Sequence, residues 1–223
     1  MSSDSLSKPR WPAGLRQRLM AWMLSHRSVA YEQFNFARKQ SLIGSLRGDI
    51  LELGPGAGPN LPFYAAAVHW LGVEPNPYMH SYLRQSIQEL GWPVERYRID
   101  RGDPKGIRLP AQDSSLDAVV ITLVLCSVPK PESTLQEILR VLKPGGRFVF
   151  IEHVASESGT SMRTTQNLLQ PIWSLVGGGC HPNRETAQMI SKAGFAKTEI
   201  EHFWYTGGGP VSPHIAGTAI KVG

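Results

Sequence analysis

Cysteine is scarce in this chain: it has two in 223 residues, Cys126 and Cys180. Two cysteines so placed offer no metal-ligand spacing and no disulfide framework, which fits a reducing, cytoplasmic compartment. Long apolar runs are missing as well, since none reaches the ~18 residues that a membrane span requires. The most apolar stretch near the start, 19-LMAWML-24, is short and has no small-residue cleavage site after it, so it does not read as a secretory signal. Charge of one sign is limited, with 23 Lys and Arg against 18 Asp and Glu, a formal net charge of +5. No basic stripe is interleaved with aromatics, so nucleic acid is not the expected partner. The basic excess gathers in the first 50 residues, at Lys8, Arg10, Arg16, Arg18, Arg27, Arg38, Lys39 and Arg47. Such a cluster is most often a solvated face, and peripheral contact of residues 13–26 with an anionic membrane surface is the alternative.

What is present is enough apolar material, 41% of residues, for one α/β domain with a real core. Helical periodicity covers 13–26, with Leu15, Leu19, Trp22 and Met23 on one face, and then 31–46. Strand patterns follow at 49–53, 69–73, 94–99, 118–123 and 147–152, with helix patterns at 61–67, 77–90 and 131–142. That alternation predicts a doubly wound, mostly parallel sheet with helices on both faces. It is broken by an insert at 155–182, which carries a helix at 161–175 and ends in Gly177-Gly178-Gly179. A helix at 184–193 is stopped by Gly194, and strands at 197–204 and 215–222 flank 206-TGGGPVSP-213. Two strands with no helix between them pair antiparallel. The expected organisation is an N-terminal helical segment, 1–47, that caps a domain spanning 48–223.

The segment 50-ILELGPGAGPNLPFY-64 is a strand feeding a glycine turn. A dinucleotide fingerprint needs G-x-G-x-x-G/A, whose third small residue lets helix and strand pack closely. Here Pro59 stands at that place, and the pattern is G-x-G-x-G at Gly54, Gly56 and Gly58. Glu74 closes the next strand, where a carboxylate can accept from both hydroxyls of a ribose. Gly102-Asp103 follows the third strand, and Asp103 can accept from an adenine amino group; its plain alternative is a turn residue. Together these point to an adenosine-type ligand without a pyrophosphate.

The pieces 52-ELGPGAG-58, Glu74, 102-GD-103, 109-LPAQDSSLDAVV-120, 139-LRVLKPGGRFVFIEH-153 and 193-AGF-195 resemble, in order, the class I S-adenosylmethionine-dependent methyltransferases. The resemblance implies a seven-stranded Rossmann-like sheet with its last strand antiparallel beside the fifth. It implies S-adenosyl-L-methionine as donor, held by Glu52, Gly54, Gly56, Gly58, Asn60, Glu74, Pro75, Asn76, Gly102, Asp103 and Leu123. A narrower likeness runs through 122-TLVLCSV-128, 151-IEHVA-155, 179-GCHPNRET-186 and 213-PHIAGTAIK-221, which are similar to the small-thiol S-methyltransferases. Members of that group carry an N-terminal hydrophobic anchor, whereas the first helix here is short and amphipathic.

Methyl transfer from a sulfonium is an in-line displacement, so the acceptor must be held close to the methyl carbon. A thiol reacts as its thiolate and has a pKa of about 8.5, so a base or nearby positive charge helps. His153, after the fifth strand, and His214, starting the last, are the candidate catalytic groups. Tyr31, Cys126, Trp173, His181 and Arg184 are the candidate contacts to substrate, although Arg184 can equally cap a loop and aromatic residues on helices are usually core. Other acceptors within the same chemistry are a quinone carbon or a phospholipid amine. A non-catalytic donor-binding module is the reading from another class.

Overall fold

The computed structural model describes residues 14–25, 29–103 and 108–223. The loose segment expected at 1–10 and the basic residues Lys8, Arg10 and Arg27 lie outside the described residues, as do the side chains of Arg16 and Met23. Two helices come first, α1 (Leu15–Ser25) and α2 (Val29–Gly44). The alternating part follows as β1 (Gly48–Leu53), β2 (Val68–Val73), α3 (His80–Glu89), β3 (Tyr97–Asp100), β4 (Leu116–Thr122), α4 (Pro131–Val141) and β5 (Leu142–His153). The chain ends with α5 (Ser161–Val176), α6 (Thr186–Lys192), β6 (Lys197–Trp204) and β7 (Pro213–Ile220).

All seven strands form one sheet in the order β3-β2-β1-β4-β5-β7-β6. The five strands β1 to β5 are parallel, and β7 runs antiparallel to both β5 and β6. This is the expected doubly wound sheet with a reversed last strand beside the fifth. Successive residues of a strand face opposite sides. Ile50 accordingly enters a core with Ile43 of α2 and Leu83 and Ile87 of α3. Leu51 enters the other, with Leu135 and Ile138 of α4 and Ile190 of α6. Each fully buried aliphatic side chain of this kind stabilises the fold by about 1.5–3 kcal/mol. Both faces being covered, the functional surface is left at the carboxyl edge of the strands.

Several boundaries differ from the expectation, each for a local reason. The helix expected at 61–67 is one 3-10 turn, Leu61–Phe63. Tyr64 leaves it in extended backbone (ψ 130°) because its hydroxyl is drawn to buried Glu52. The third strand begins at Tyr97, since Val94–Arg96 forms a 3-10 turn behind Pro93. Arg96 fixes that turn by lying 3.6 Å over the Trp92 ring and donating to the carbonyls of Tyr64 and Ala65. The fifth strand takes in Leu142 through Gly146, because Leu142 pairs with Leu116 across an irregularity in register. Helix α6 starts at Thr186, after the Arg184 side chain has turned back to clasp an earlier loop.

Candidate active site

The glycine loop after β1 answers its own backbone accounting. The N–H of Gly54 donates to the Val73 carbonyl at 2.8 Å, and that of Gly58 to Pro55 at 2.9 Å. The N–H of Gly56 donates to Glu74 Oε2 at 3.0 Å, and Glu74 Oε1 accepts from the Asn76 N–H at 2.8 Å. All three glycines have left-handed backbone, which favours residues without a Cβ. A Cβ on Gly54 would sit 2.8 Å from Val124 Cγ2, and one on Gly58 would sit 2.4 Å from Leu61 Cδ1. The loop thus offers a ligand a bare Cα surface and a carboxylate, with its N–H groups engaged inside the protein.

Beside it lies a cavity of about 470 Å³, lined among others by Leu53, Val73, Pro75, Gly102, Asp103 and Gln17. These residues come from the carboxyl ends of β1, β2 and β3, with α1 as the cover. Asn76 fastens that cover by donating from Nδ2 to the Gln17 carbonyl at 3.0 Å, and the Arg18 guanidinium lies 5.0 Å from the Tyr78 ring centroid. A larger groove of about 650 Å³ runs along α2 and the middles of β6 and β7, away from the glycine loop. Glycines with steric cause, a carboxylate at the end of β2 and Asp103 at the end of β3 fit a nucleoside with an amino-acid tail.

Two of the expected donor contacts turn elsewhere. Glu52 is fully buried and accepts from Asn60 Nδ2 (2.8 Å), Tyr64 OH (2.8 Å) and Trp70 Nε1 (3.1 Å). Asn60 is equally buried and donates also to Thr122 Oγ1 at 2.9 Å. Their side chains brace the loop from below, and neither is directed to a ligand in the cavity. Burial raises the Glu52 pKa above the usual carboxylate range even though those three donors hold the charged form.

On the other side of the loop, Leu123 takes left-handed backbone (φ 57°), which costs a non-glycine residue about 1–2 kcal/mol. The residues after it are held by Glu152, at the end of β5. Its carboxylate accepts from three successive backbone N–H groups, Val124 at 2.7 Å, Leu125 at 3.1 Å and Cys126 at 3.4 Å. Burial pushes Glu152 up to about 6 in spite of them.

That loop carries Cys126 to His153 and Cys180. One ligand atom from each of the three lies within 4.8 Å of the others, and His153 Nε2 is 3.0 Å from Cys180 Sγ. The hydrogen bond from Cys126, aided by the Trp173 indole and opposed by burial, lowers the Cys180 thiol. The same bond, together with burial, pushes Cys126 well above the ordinary thiol range. Burial opposes a charged His153, but the Cys126 sulfur and the Glu152 carboxylate outweigh it and leave the ring above the usual histidine value. His153 Nδ1 is buried with no hydrogen-bond partner. Cys180 went unrecognised in the sequence because its partners are distant in the chain; its position just before 181-HPNRET-186 was the only signal.

His214 faces His153 across the β5–β7 ladder, with ring centroids 6.2 Å apart. Its Nδ1 donates to the Ser212 carbonyl at 3.0 Å, which leaves Nε2 as the acceptor, and burial lowers its pKa to about 4. A ring so shifted is neutral at ordinary pH, which weighs against the catalytic role expected for His214. Tyr31, Phe203 and Tyr205 enclose it at centroid distances of 5.7, 5.2 and 6.1 Å. Tyr31 therefore packs with His214 and Tyr205, while α1 and not α2 borders the cavity beside the glycine loop. Arg184 takes the loop-capping alternative expected for it, with His181 beside it. Arg184 donates to the carbonyls of Leu125 and Val128 and lies 3.3 Å from His181 Nδ1. The His181 N–H bonds the Cys126 carbonyl at 2.9 Å, so this pair ties the insert to the β4 loop.

Replacing Glu74 by alanine removes the acceptor that organises the loop. Hydrogen bonds to charged groups contribute roughly 1.5–3 kcal/mol, so the affinity for S-adenosylmethionine, read by calorimetry, is expected to fall on the order of 10–100-fold. An unchanged affinity in a folded variant would contradict this construction of the site.

Comparison with known proteins agrees with the geometry. A methyltransferase-domain family matches residues 51–150. The thiol S-methyltransferase TMT1B of Rattus norvegicus is 41% identical over 77% of this chain and 70% of its own length. The thiol S-methyltransferase TMT1A of Homo sapiens is 35% identical over 87% of this chain and 82% of its own. The crystal structure of the [4+2]-cyclase SpnF superposes with a TM-score of 0.67 at 20% identity, covering 86% of this chain and 81% of that one, a likeness of fold alone. The chain is a class I S-adenosylmethionine-dependent methyltransferase and belongs to the family of the thiol S-methyltransferases.

Proposed function

We propose that this enzyme methylates the sulfur of a small or lipophilic thiol. The observation that carries the reading is the 35–41% identity to thiol S-methyltransferases over most of both chains, joined to a soft, acid-poor group at the carboxyl edge: Cys126, His153, Cys180 and His214. The donor supplies an electrophilic methyl group on a sulfonium. Glu74 accepts from the ribose hydroxyls, Asp103 from the adenine amino group, and Gly54, Gly56, Gly58, Gly102, Pro75 and Leu123 give close walls. The backbone of Asn76 fixes Glu74, and its side chain keeps α1 over the cavity.

On the acceptor side, His153 favours the thiolate by taking its proton or by holding positive charge near it. Cys126 and Trp173 wall the sulfur's place, and Tyr31 and His214 shape the apolar approach. A phospholipid amine would be favoured by a carboxylate free to meet its charge. Glu152, the nearest carboxylate, is occupied by three N–H groups. The segment 1–47 acts as the cap of the domain at 48–223, and 155–182 as the cover of the acceptor end.

The same reading extends to place. Among the described residues no helix is long and apolar enough to cross a membrane. Leu15, Leu19 and Trp22 of α1 and Leu168, Ile172 and Leu175 of α5 are nonetheless exposed. Apolar helix faces of this kind suit peripheral attachment to a lipid surface, from the cytoplasmic side, where the free thiols Cys126 and Cys180 stay reduced.

Incubation with labelled donor and a panel of thiols, sulfide, quinols and ethanolamine lipids is expected to label thiols. His153→Ala should lower turnover on the order of 100-fold with donor affinity kept; label on lipid or quinol alone would overturn the assignment. The double change Leu168→Asp, Ile172→Asp should reduce co-sedimentation with anionic liposomes, and failure of the intact chain to bind them would dispose of the membrane contact.

A further inference from the structure

Two sulfurs and an imidazole nitrogen converge at the carboxyl edge, and protein hydrogen bonds do not account for all they can do. We propose that Cys126, His153 and Cys180 form a site for a soft divalent cation of the zinc type, whose fourth position takes the acceptor's sulfur. The three-ligand part stands on geometry alone; the fourth-position part rests on the thiol reading given above.

The ligand atoms already lie within 4.8 Å of one another, with Nε2 and Sγ 3.0 Å apart. Tetrahedral zinc, with Zn–S of about 2.3 Å and Zn–N of about 2.0–2.1 Å, spaces its ligand atoms roughly 3.6–3.8 Å apart. The 3.0 Å pair has to open and the wider separations, at most 4.8 Å, have to close, by side-chain adjustments on the order of 1 Å. Each ligand is held by a separate part of the fold. Cys126 has its N–H on Glu152 and its carbonyl on the His181 N–H. His153 is fixed by its register opposite His214. The Cys180 N–H bonds the Gly177 carbonyl at 3.2 Å, after Gly178 and Gly179 in left-handed backbone. Such preorganisation is what a metal site needs.

The charges also close. Two thiolates and a neutral imidazole balance a divalent cation, so the three-ligand site is neutral, and an acceptor thiolate in the fourth position makes it singly negative, a charge that the donor sulfonium complements. Two thiolates and one imidazole suit zinc over the oxygen-seeking cations. Three protein ligands leave one tetrahedral position, the arrangement of a catalytic rather than a structural site. A thiol coordinating there gives up its proton to solvent outright. Its sulfur then forms the new S–C bond as the methyl carbon's bond to the donor sulfonium sulfur breaks, with S-adenosyl-L-homocysteine as the leaving group. His153 then contributes as a ligand through Nε2, and the cation supplies the charge that the imidazolium would otherwise provide.

The test uses the full chain, purified tag-free without chelator, with zinc measured by mass spectrometry. About one zinc per chain is expected, retained in a surface control, Lys197→Ala, and lost in Cys180→Ser and in His153→Ala. Circular dichroism and donor affinity show whether the variants remain folded. The cobalt-loaded protein should show thiolate-to-metal charge-transfer absorption that grows when an acceptor thiol is added. Wild-type zinc no higher than that of a folded Cys126→Ser, Cys180→Ser double variant would overturn the site. A cobalt spectrum unmoved by a thiol that the enzyme methylates would overturn the fourth-position role, and the thiol reading would stand. Failure to methylate any thiol with zinc bound would instead strike the thiol reading and leave the three-ligand site.

Discussion

The hydrogen bonds of one buried carboxylate fix the loop that runs from the glycine turn to the cluster of Cys126, His153 and Cys180. Glu152 accepts from the N–H groups of Val124, Leu125 and Cys126. Those bonds stabilise a loop whose first residue, Leu123, sits in strained left-handed backbone. One end of the loop sets Val124 against Gly54 of the donor loop. The other end sets Cys126 beside His153 and Cys180. A carboxylate desolvated to that extent is costly, as its pKa of about 6 registers. That cost falls where the glycine turn and the Cys126, His153 and Cys180 cluster adjoin the same loop, and Arg184 adds to the hold by clasping that loop's carbonyls.

The donor loop shows what its prolines imply. Phosphate-binding glycine loops present backbone N–H groups to an anion. Here the N–H groups of Gly54, Gly56 and Gly58 all have protein acceptors, so Pro55 and Pro59 remove donors that a nucleoside ligand does not need. The glycines serve close approach and left-handed turns. On the proposed reading, polar recognition falls to Glu74 and Asp103 after neighbouring strands. This division separates a sulfonium nucleoside from a dinucleotide at the level of the backbone.

Much of this was legible in the sequence because it is periodic or local. Alternating patterns located every strand, and the absence of a helix before the last strand required the antiparallel hairpin that β6 and β7 form. What stayed hidden depends on side chains meeting across the fold. Asn60 looked like a ligand contact, yet the buried charge of Glu52 draws it inward. The same pull on Tyr64 ends the helix expected at 61–67 after one turn. Arg184 was expected either to meet substrate or to cap a loop, and the carbonyls of Leu125 and Val128 in the β4 loop claim the guanidinium. Tyr31 was expected as a substrate contact, and only the packing of α2 on β7, which no local pattern announces, brings it beside His214. Cys180 had only its place in 179-GCHPNRET-186 to mark it, because the fold alone brings it to Cys126.

The central claim is that Glu152 couples donor binding to methyl transfer through the loop at 123–126. The most direct test measures donor affinity by calorimetry and methyl transfer in a single turnover on Glu152→Ala, with Glu152→Gln as the variant that keeps one acceptor oxygen. Both quantities should fall together, on the order of tenfold or more for alanine, where three buried N–H groups lose their partner, and less for glutamine. A folded Glu152→Ala enzyme that binds donor and transfers methyl at the wild-type level would contradict the account.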